Sequence, residues 1–334
     1  MTEWLRSLNP HAESETWPGL GRCRLLGKPE RLVDRCDQFW RDDRSMRQID
    51  TPRRDVLGEG PIWDAAGAVL WWVDIAGRGL RRYQPSTGDI DVWDLPEPAG
   101  SVAPTASGGL LLAVPSGFAR FDPATNEFQH IIDPEPERSG NRFNEGKCDR
   151  QGRFWAGSMD AAEKARTGAL YRLDLDGTPH RIFDGLGIPN TLAWSADSKT
   201  MYFAETLDRT IYAFDFDPTT GTPSNRRVFV RIPGPGYPDG STIDEDGHLW
   251  NAEWDGWRIV RYTPDGNVDR VVEMPVQRPT SCMFGGPDLS TLFVTSASRG
   301  LTPDQLTQQP DAGGLFAIAT DSHGIPETRF GGRF

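Results

Sequence analysis

The sequence is poor in the residues that build metal or redox centres on their own. It has four cysteines, Cys23, Cys36, Cys148 and Cys282, with no Cys-x-x-Cys pair among them, so neither a zinc ribbon nor a disulfide framework is expected. Its five histidines show no metal-ligand spacing, and no Gly-x-Ser-x-Gly elbow announces a Ser–His–Asp hydrolase. Basic residues are in deficit, 36 Lys and Arg against 48 Asp and Glu, for a net charge of −12. That argues against nucleic acid as a partner, because phosphate contacts need clustered cations. No run approaches the roughly 20 apolar residues of a membrane span, so no membrane partner is expected. The opening residues, MTEWLRSLNPHAESE, have neither the basic nor the apolar region of a secretory signal. A cytoplasmic protein is the resulting expectation, and the oligomeric state is left open.

What the sequence has in quantity is turns and aromatics: 36 Gly, 27 Pro, 12 Trp and 16 Phe among 334 residues. This balance suits a turn-rich all-β chain. A short unit recurs along it, a turn followed by an apolar or aromatic pair: AGAVLWWVDI, SGGLLLAVPSG, QGRFWAGSMD, DSKTMYFAET, DGHLWNAEWD and DLSTLFVTSA. The six copies follow one another at roughly 40–48 residues, the period of propeller blades. Strand candidates at 69–75, 110–114, 154–159 and 170–175 are separated by turn signals such as PSTG, DPAT, DLDG and PDG. The fold expected is therefore an all-β, six-bladed β-propeller over 51–334. Residues 1–50 are rich in Arg and Asp and contain no blade unit. They are read as an N-terminal extension, in part disordered, with only a weak helical stretch at 25–40. A ring-closing strand, if the N-terminus supplies one, is expected at 47–56.

A propeller brings loops from distant blades to one central channel, so polar residues at equivalent points of the repeat matter most. Three turn-like motifs precede what reads as an inner strand: Leu57-Gly58-Glu59-Gly60-Pro61, Gly187-Ile188-Pro189-Asn190 and Tyr237-Pro238-Asp239-Gly240. Each alone could be an ordinary turn. At one position of a repeat they would place Glu59, Asn190 and Asp239 at a common mouth. Two carboxylates and an amide oxygen suit one hard divalent cation, Ca²⁺ first, with Mg²⁺ or Mn²⁺ as alternatives and Zn²⁺ or Fe²⁺ less favoured without His or Cys. A fourth segment, Asn141-Arg142-Phe143-Asn144-Glu145-Gly146-Lys147, stands at the same relative place. Arg142 and Asn144 have the donors and acceptors to hold a polyhydroxylated or anionic ligand. Arg142 and Lys147 are also compatible with plain surface charges.

The combination LGEGPIWD (57–64), RFNEGKCDRQGRFWAGSM (142–159), GIPNTLAWSADSKTMYFAET (187–206) and YPDGSTIDEDGHLW (237–250) resembles the SMP-30/gluconolactonase/regucalcin-like family over about residues 55–330. The resemblance implies a six-bladed propeller with one divalent cation in its channel and, in many members, hydrolysis of sugar lactones. By motif, Glu59, Asn190 and Asp239 resemble the metal ligands, Asp239 also the acid/base residue, and Arg142 and Asn144 the substrate-binding pair. Two departures stand out: Asn190-Thr191 where Asn-Gly is common, and Asn144-Glu145 where Asn-Asp is common. Glu145 would reshape the substrate pocket. A further substrate contact falls in the loop after Ser158-Met159, where Glu163 is the match.

The reaction implied is hydrolysis of an aldonolactone to the aldonic acid by a carboxylic ester hydrolase. Asp239 would take a proton from the attacking water and return it to the ring oxygen, although cation binding lowers a carboxylate's basicity and a metal-bound water is an alternative nucleophile. Two other readings stay open. A calcium-dependent phosphotriesterase-like hydrolase would favour a more apolar pocket. A non-catalytic calcium-binding propeller would have no need of an aligned acid/base residue.

Overall fold

A computed structural model describes residues 46–333. Most of the expected extension, with Cys23, Cys36 and the stretch at 25–40, lies outside the described residues. Six four-stranded antiparallel sheets form the described chain. Their innermost strands are Gly58–Asp64, Ser101–Pro104, Asn141–Cys148, Pro189–Trp194, Tyr237–Ile243 and Pro279–Gly285. Each of these touches the next in cyclic order, and the last touches the first. The result is the expected propeller. No helix among the described residues is long and apolar enough to cross a membrane.

Two sequence expectations change. The recurring apolar pairs lie on the second strand of each blade, as in Val69–Asp74, Phe154–Asp160 and Leu249–Trp254, which are buried almost throughout. A strand covered on both faces reads as a continuous apolar run, and that made the second strands look like the channel lining. The polar motifs thus sit on the innermost strands themselves and not in turns ahead of them. The boundary set after residue 50 also falls too late. Met46–Ile49 is the outermost strand of blade 6 and pairs antiparallel with Leu315–Ala319, Met46 opposite Ile318. The ring-closing strand lies there, at the start of the 47–56 window and one residue ahead of it.

Buried tryptophans on the second strands hold the blades to their turns. Trp155 Nε1 donates to Asp149 Oδ2 at 3.0 Å, and Trp250 Nε1 to Asp244 Oδ2 at 2.9 Å. Asp149 also accepts from the Arg153 backbone N–H, and Asp244 from that of His248. The Asp-x-x-Gly-x-x-Trp spacing of blades 3 and 5 thus ties a turn to a fully buried indole. Both of these buried indole N–H groups find the partner they need.

Candidate functional site

The innermost strands of blades 1, 3, 4 and 5 share a backbone irregularity at the motif residues. Their pairing with the second strand slips between Glu59 and Ile62, Phe143 and Gly146, Asn190 and Ala193, and Pro238 and Ser241. A bulge of this kind re-aims a side chain that regular pleating would bury in the sheet. Gly60 and Thr191, which follow Glu59 and Asn190, take φ of 55° and 53°. Gly60 adopts this freely. For Thr191, β-branched and fully buried, the left-handed conformation costs about 1–3 kcal/mol. At Gly240 the constraint is space, since a Cβ there would overlap Ser281 of the next blade.

Hydrogen bonds link the motif residues across three blades. Arg142 Nη1 donates to Asn144 Oδ1 at 2.9 Å, and Asn144 Nδ2 donates to Asn190 Oδ1 and to the Pro189 carbonyl, each at 3.0 Å. Asn190 Nδ2 donates to Thr206 Oγ1 at 2.9 Å, and that hydroxyl donates to the Pro238 carbonyl at 2.8 Å. The Thr191 hydroxyl donates to the Asp239 carbonyl at 2.5 Å, which also accepts from Asn251 Nδ2 at 3.1 Å. The loop before Asn190 is fixed as well: Glu205 accepts the Gly187 and Ile188 N–H groups at 2.8 and 3.0 Å.

The electrostatics are unusual. Glu59, Glu145 and Asp239 are all buried. Burial first, then the Glu145 charge, lifts Glu59 to about 8. Burial, then Glu59 and Glu145, lifts Asp239 well above the usual carboxylate range. Glu145 rises to about 7 through burial, opposed by Lys147 and reinforced by Glu327. Glu59 accepts only the Gly60 N–H, at 3.2 Å. Among the described residues no side-chain donor bonds to the carboxylate of Glu59 or Asp239. Repelling carboxylates out of water are costly unless a cation joins them. The Asn190 amide, from the inner strand of blade 4, has its orientation set by Asn144 and Thr206. This donor set of two carboxylates and one amide oxygen fits a hard divalent cation.

The proposed sugar contacts divide into two groups. Arg142 and Glu163 face each other, with Nη2 3.7 Å from Oε1, and Glu163 sits in a left-handed turn at φ 58°. Glu145 stands apart from them, among Lys147, Glu327 and the other carboxylates. Lys147 is buried and donates from Nζ to the Ser241 carbonyl at 2.8 Å. The surface-charge alternative for it therefore falls away.

A different cluster escaped the sequence reading. Ligand-type atoms of Asp244, Asp246 and His248 all lie within 4.8 Å of one another. Asp244 is already used, accepting from Trp250 Nε1 and from Arg261 Nε at 2.8 Å, while Arg261 Nη2 also reaches Asp246 at 3.4 Å. The Arg261 cation thus already pairs with both carboxylates of the group.

Fold and site together define a six-bladed propeller with a buried carboxylate–amide cluster where its inner strands converge. Residues 57–298 match the SMP-30/Gluconolactonase/LRE-like region, and the chain belongs to that family. It is 37% identical to regucalcin of Xenopus laevis over 284 residues, 83% of this chain and 95% of the relative. It is 39% identical to L-arabinolactonase of Azospirillum brasilense over 284 residues, covering 84% and 93%. The crystal structure of the calcium-binding protein regucalcin from Agrobacterium tumefaciens superposes with a TM-score of 0.82 at 32% identity, over 86% of this chain and 97% of that one.

Proposed function

We propose that this chain hydrolyses a sugar lactone to the open acid, with one divalent cation held by Glu59, Asn190 and Asp239. The observation that carries the reading is the pair of buried, mutually repelling carboxylates without side-chain donors among the described residues, together with an Asn190 amide whose oxygen is held by Asn144. The lactonase names of relatives and the calcium of the regucalcin structure support it. Ca²⁺ suits the oxygen-only set best.

When bound, the cation would supply Lewis-acid stabilisation of the charge that builds on the lactone carbonyl oxygen. Asp239 takes a proton from the attacking water and delivers it to the ring oxygen as the ester bond breaks. Arg142 and Asn144 orient the sugar hydroxyls, with Glu163 holding the Arg142 guanidinium from the far side. Glu145, close to the carboxylates, shapes the pocket floor. We also propose that the propeller alone carries the activity, so that a chain beginning at Arg44, which keeps the closing strand from Met46, folds and turns over.

The test is a pH-indicator assay of the metal-stripped protein against pentono- and hexonolactones, with each cation added back singly. Activity that returns with a cation supports the reading. Full activity without one, or none on any lactone with every cation, overturns it.

A further inference from the structure

One cation at the site lies outside every motif described above. Arg299 follows the second strand of blade 6, Thr291–Ser296. Its Nη1 lies 2.9 Å from Glu163 Oε1, the same oxygen that Arg142 Nη2 approaches at 3.7 Å. Two guanidiniums therefore converge on one carboxylate oxygen. Their burial differs. The Arg299 side chain is 39% exposed, against 12% for Arg142 and 6% for Glu163. Arg299 is thus the outermost member of a line that runs through Glu163, Arg142 and Asn144 to Asn190.

The backbone beneath Arg299 is fixed on both sides. Its N–H donates to the Val56 carbonyl at 2.8 Å. Its carbonyl accepts from Arg278, whose Nε donates to Asp255 at 2.6 Å. The side chain therefore starts from a fixed point, and its guanidinium is tied to Glu163. The two cations also feel each other. Burial, and then the Arg299 charge, works against the Arg142 guanidinium, while Glu163 supports it. Around Glu163 one carboxylate faces two guanidiniums, a local excess of positive charge, with Glu59 lending Arg142 a smaller support. Arg299 spends one ion pair on Glu163, and its other N–H donors have no partner among the described residues.

Neutral hydroxyls do not require such an excess. A second carboxylate on the substrate would: it would accept paired N–H bonds from Arg299 and relieve the repulsion between the two cations. We infer that Arg299 is a specificity residue that selects lactones bearing an ionised carboxylate at the end remote from the ring ester, the aldarolactone class, over neutral aldonolactones. The inference rests on the lactonase reading for its substrate class. Hydrolysis adds one water across the ring ester and leaves a dicarboxylate.

A matched pair of substrates tests it: D-galactaro-γ-lactone and D-galactono-γ-lactone, which differ only in carboxylate against hydroxymethyl. On the Ca²⁺-loaded full chain, kcat/KM should favour the galactaro compound by about 10-fold or more, as expected for one charge-assisted contact. Arg299→Gln should collapse that ratio, chiefly through KM, and Arg299→Lys should keep part of it. Added salt should erode the preference of the unsubstituted protein. No preference, or an equal loss on both lactones in Arg299→Gln, overturns the inference and leaves the lactonase reading intact. Calorimetric titration with galactarate and galactonate separates the two claims without turnover. Tighter galactarate binding that depends on Arg299 supports the inference even if neither lactone is hydrolysed. Equal binding of the two acids counts against it. Thermal melts of both variants establish that the fold is retained.

Discussion

The innermost strands of blades 2 and 5 hold equivalent places in the ring, and they part at one backbone feature. Ser101–Pro104 pairs with Leu110–Ala113 in unbroken register, Ser101 opposite Ala113. Its side chains, Ser-Val-Ala-Pro, bring no charge to the channel. Tyr237–Ile243 slips between Pro238 and Ser241, and the extra residues of the slip include Asp239. Of these two blades, the one with the regular ladder lines the channel inertly and the bulged one brings a carboxylate to it. The site is a set of interruptions in a repeat, and the regular blade shows what each position would be without one.

The comparison breaks most severely at Asp239. Asp239→Asn should lower lactone turnover several hundredfold at saturating cation, while the melting temperature of the metal-free protein holds or rises, because a carboxyl that is costly to ionise in its buried place is gone. Near-normal turnover in stopped assays would remove Asp239 from the chemistry.

A second effect concerns pH. In the metal-free protein Glu59 and Glu145 titrate near 8 and 7, above their unfolded values near 4.5. A raised folded pKa contributes stability below the unfolded pKa and loses it as pH climbs through the folded one. The metal-free melting temperature should thus fall by about 5–10 °C between pH 6 and pH 9. Saturating Ca²⁺ should abolish the fall. A flat metal-free profile by calorimetry would mean that the bulged carboxylates are solvated.

Thr191 gives a smaller effect. Thr191→Val keeps the shape and the strained φ but leaves the Asp239 carbonyl with Asn251 alone. A loss of about 1–3 kcal/mol in stability is expected, together with weaker Ca²⁺ binding by calorimetry. Thr191→Ser should retain both. Equal behaviour of Val and Ser would reduce Thr191 to a space-filler.

The smallest change belongs to the regular blade. Ser101 is fully buried, and its hydroxyl has no hydrogen-bond partner among the described residues. Ser101→Ala should shift stability by no more than about 0.5 kcal/mol and leave kcat within error. A large loss would show that blade 2 takes part in the site after all.

The ring was legible in the sequence because a buried second strand such as Leu249–Trp254 repeats as an apolar run at fixed spacing. The candidate set of inner-strand residues was legible because Glu59, Asn190 and Asp239 stand at one phase of that repeat. Their placement within strands was not, since a bulge depends on pairing with a distant strand and leaves no local composition. Arg299 was invisible for a related reason. It lies beyond the last motif, and only the fold brings it to Glu163, 136 positions earlier in the chain. For Lys147 the surface-charge alternative stayed open in the sequence because its partner is a backbone carbonyl on another blade.

The closing strand has a consequence for how the molecule is made. Met46–Ile49 emerges from the ribosome before any blade, yet its partner Leu315–Ala319 follows the strands of the other five blades. Five blades can stack while both margins of the sixth remain open, each an unpaired edge able to recruit a neighbouring chain. Completion thus comes as one late event that joins the beginning of the propeller to its end. Crowded translation of this chain should be most vulnerable to misassembly in the interval just before that join.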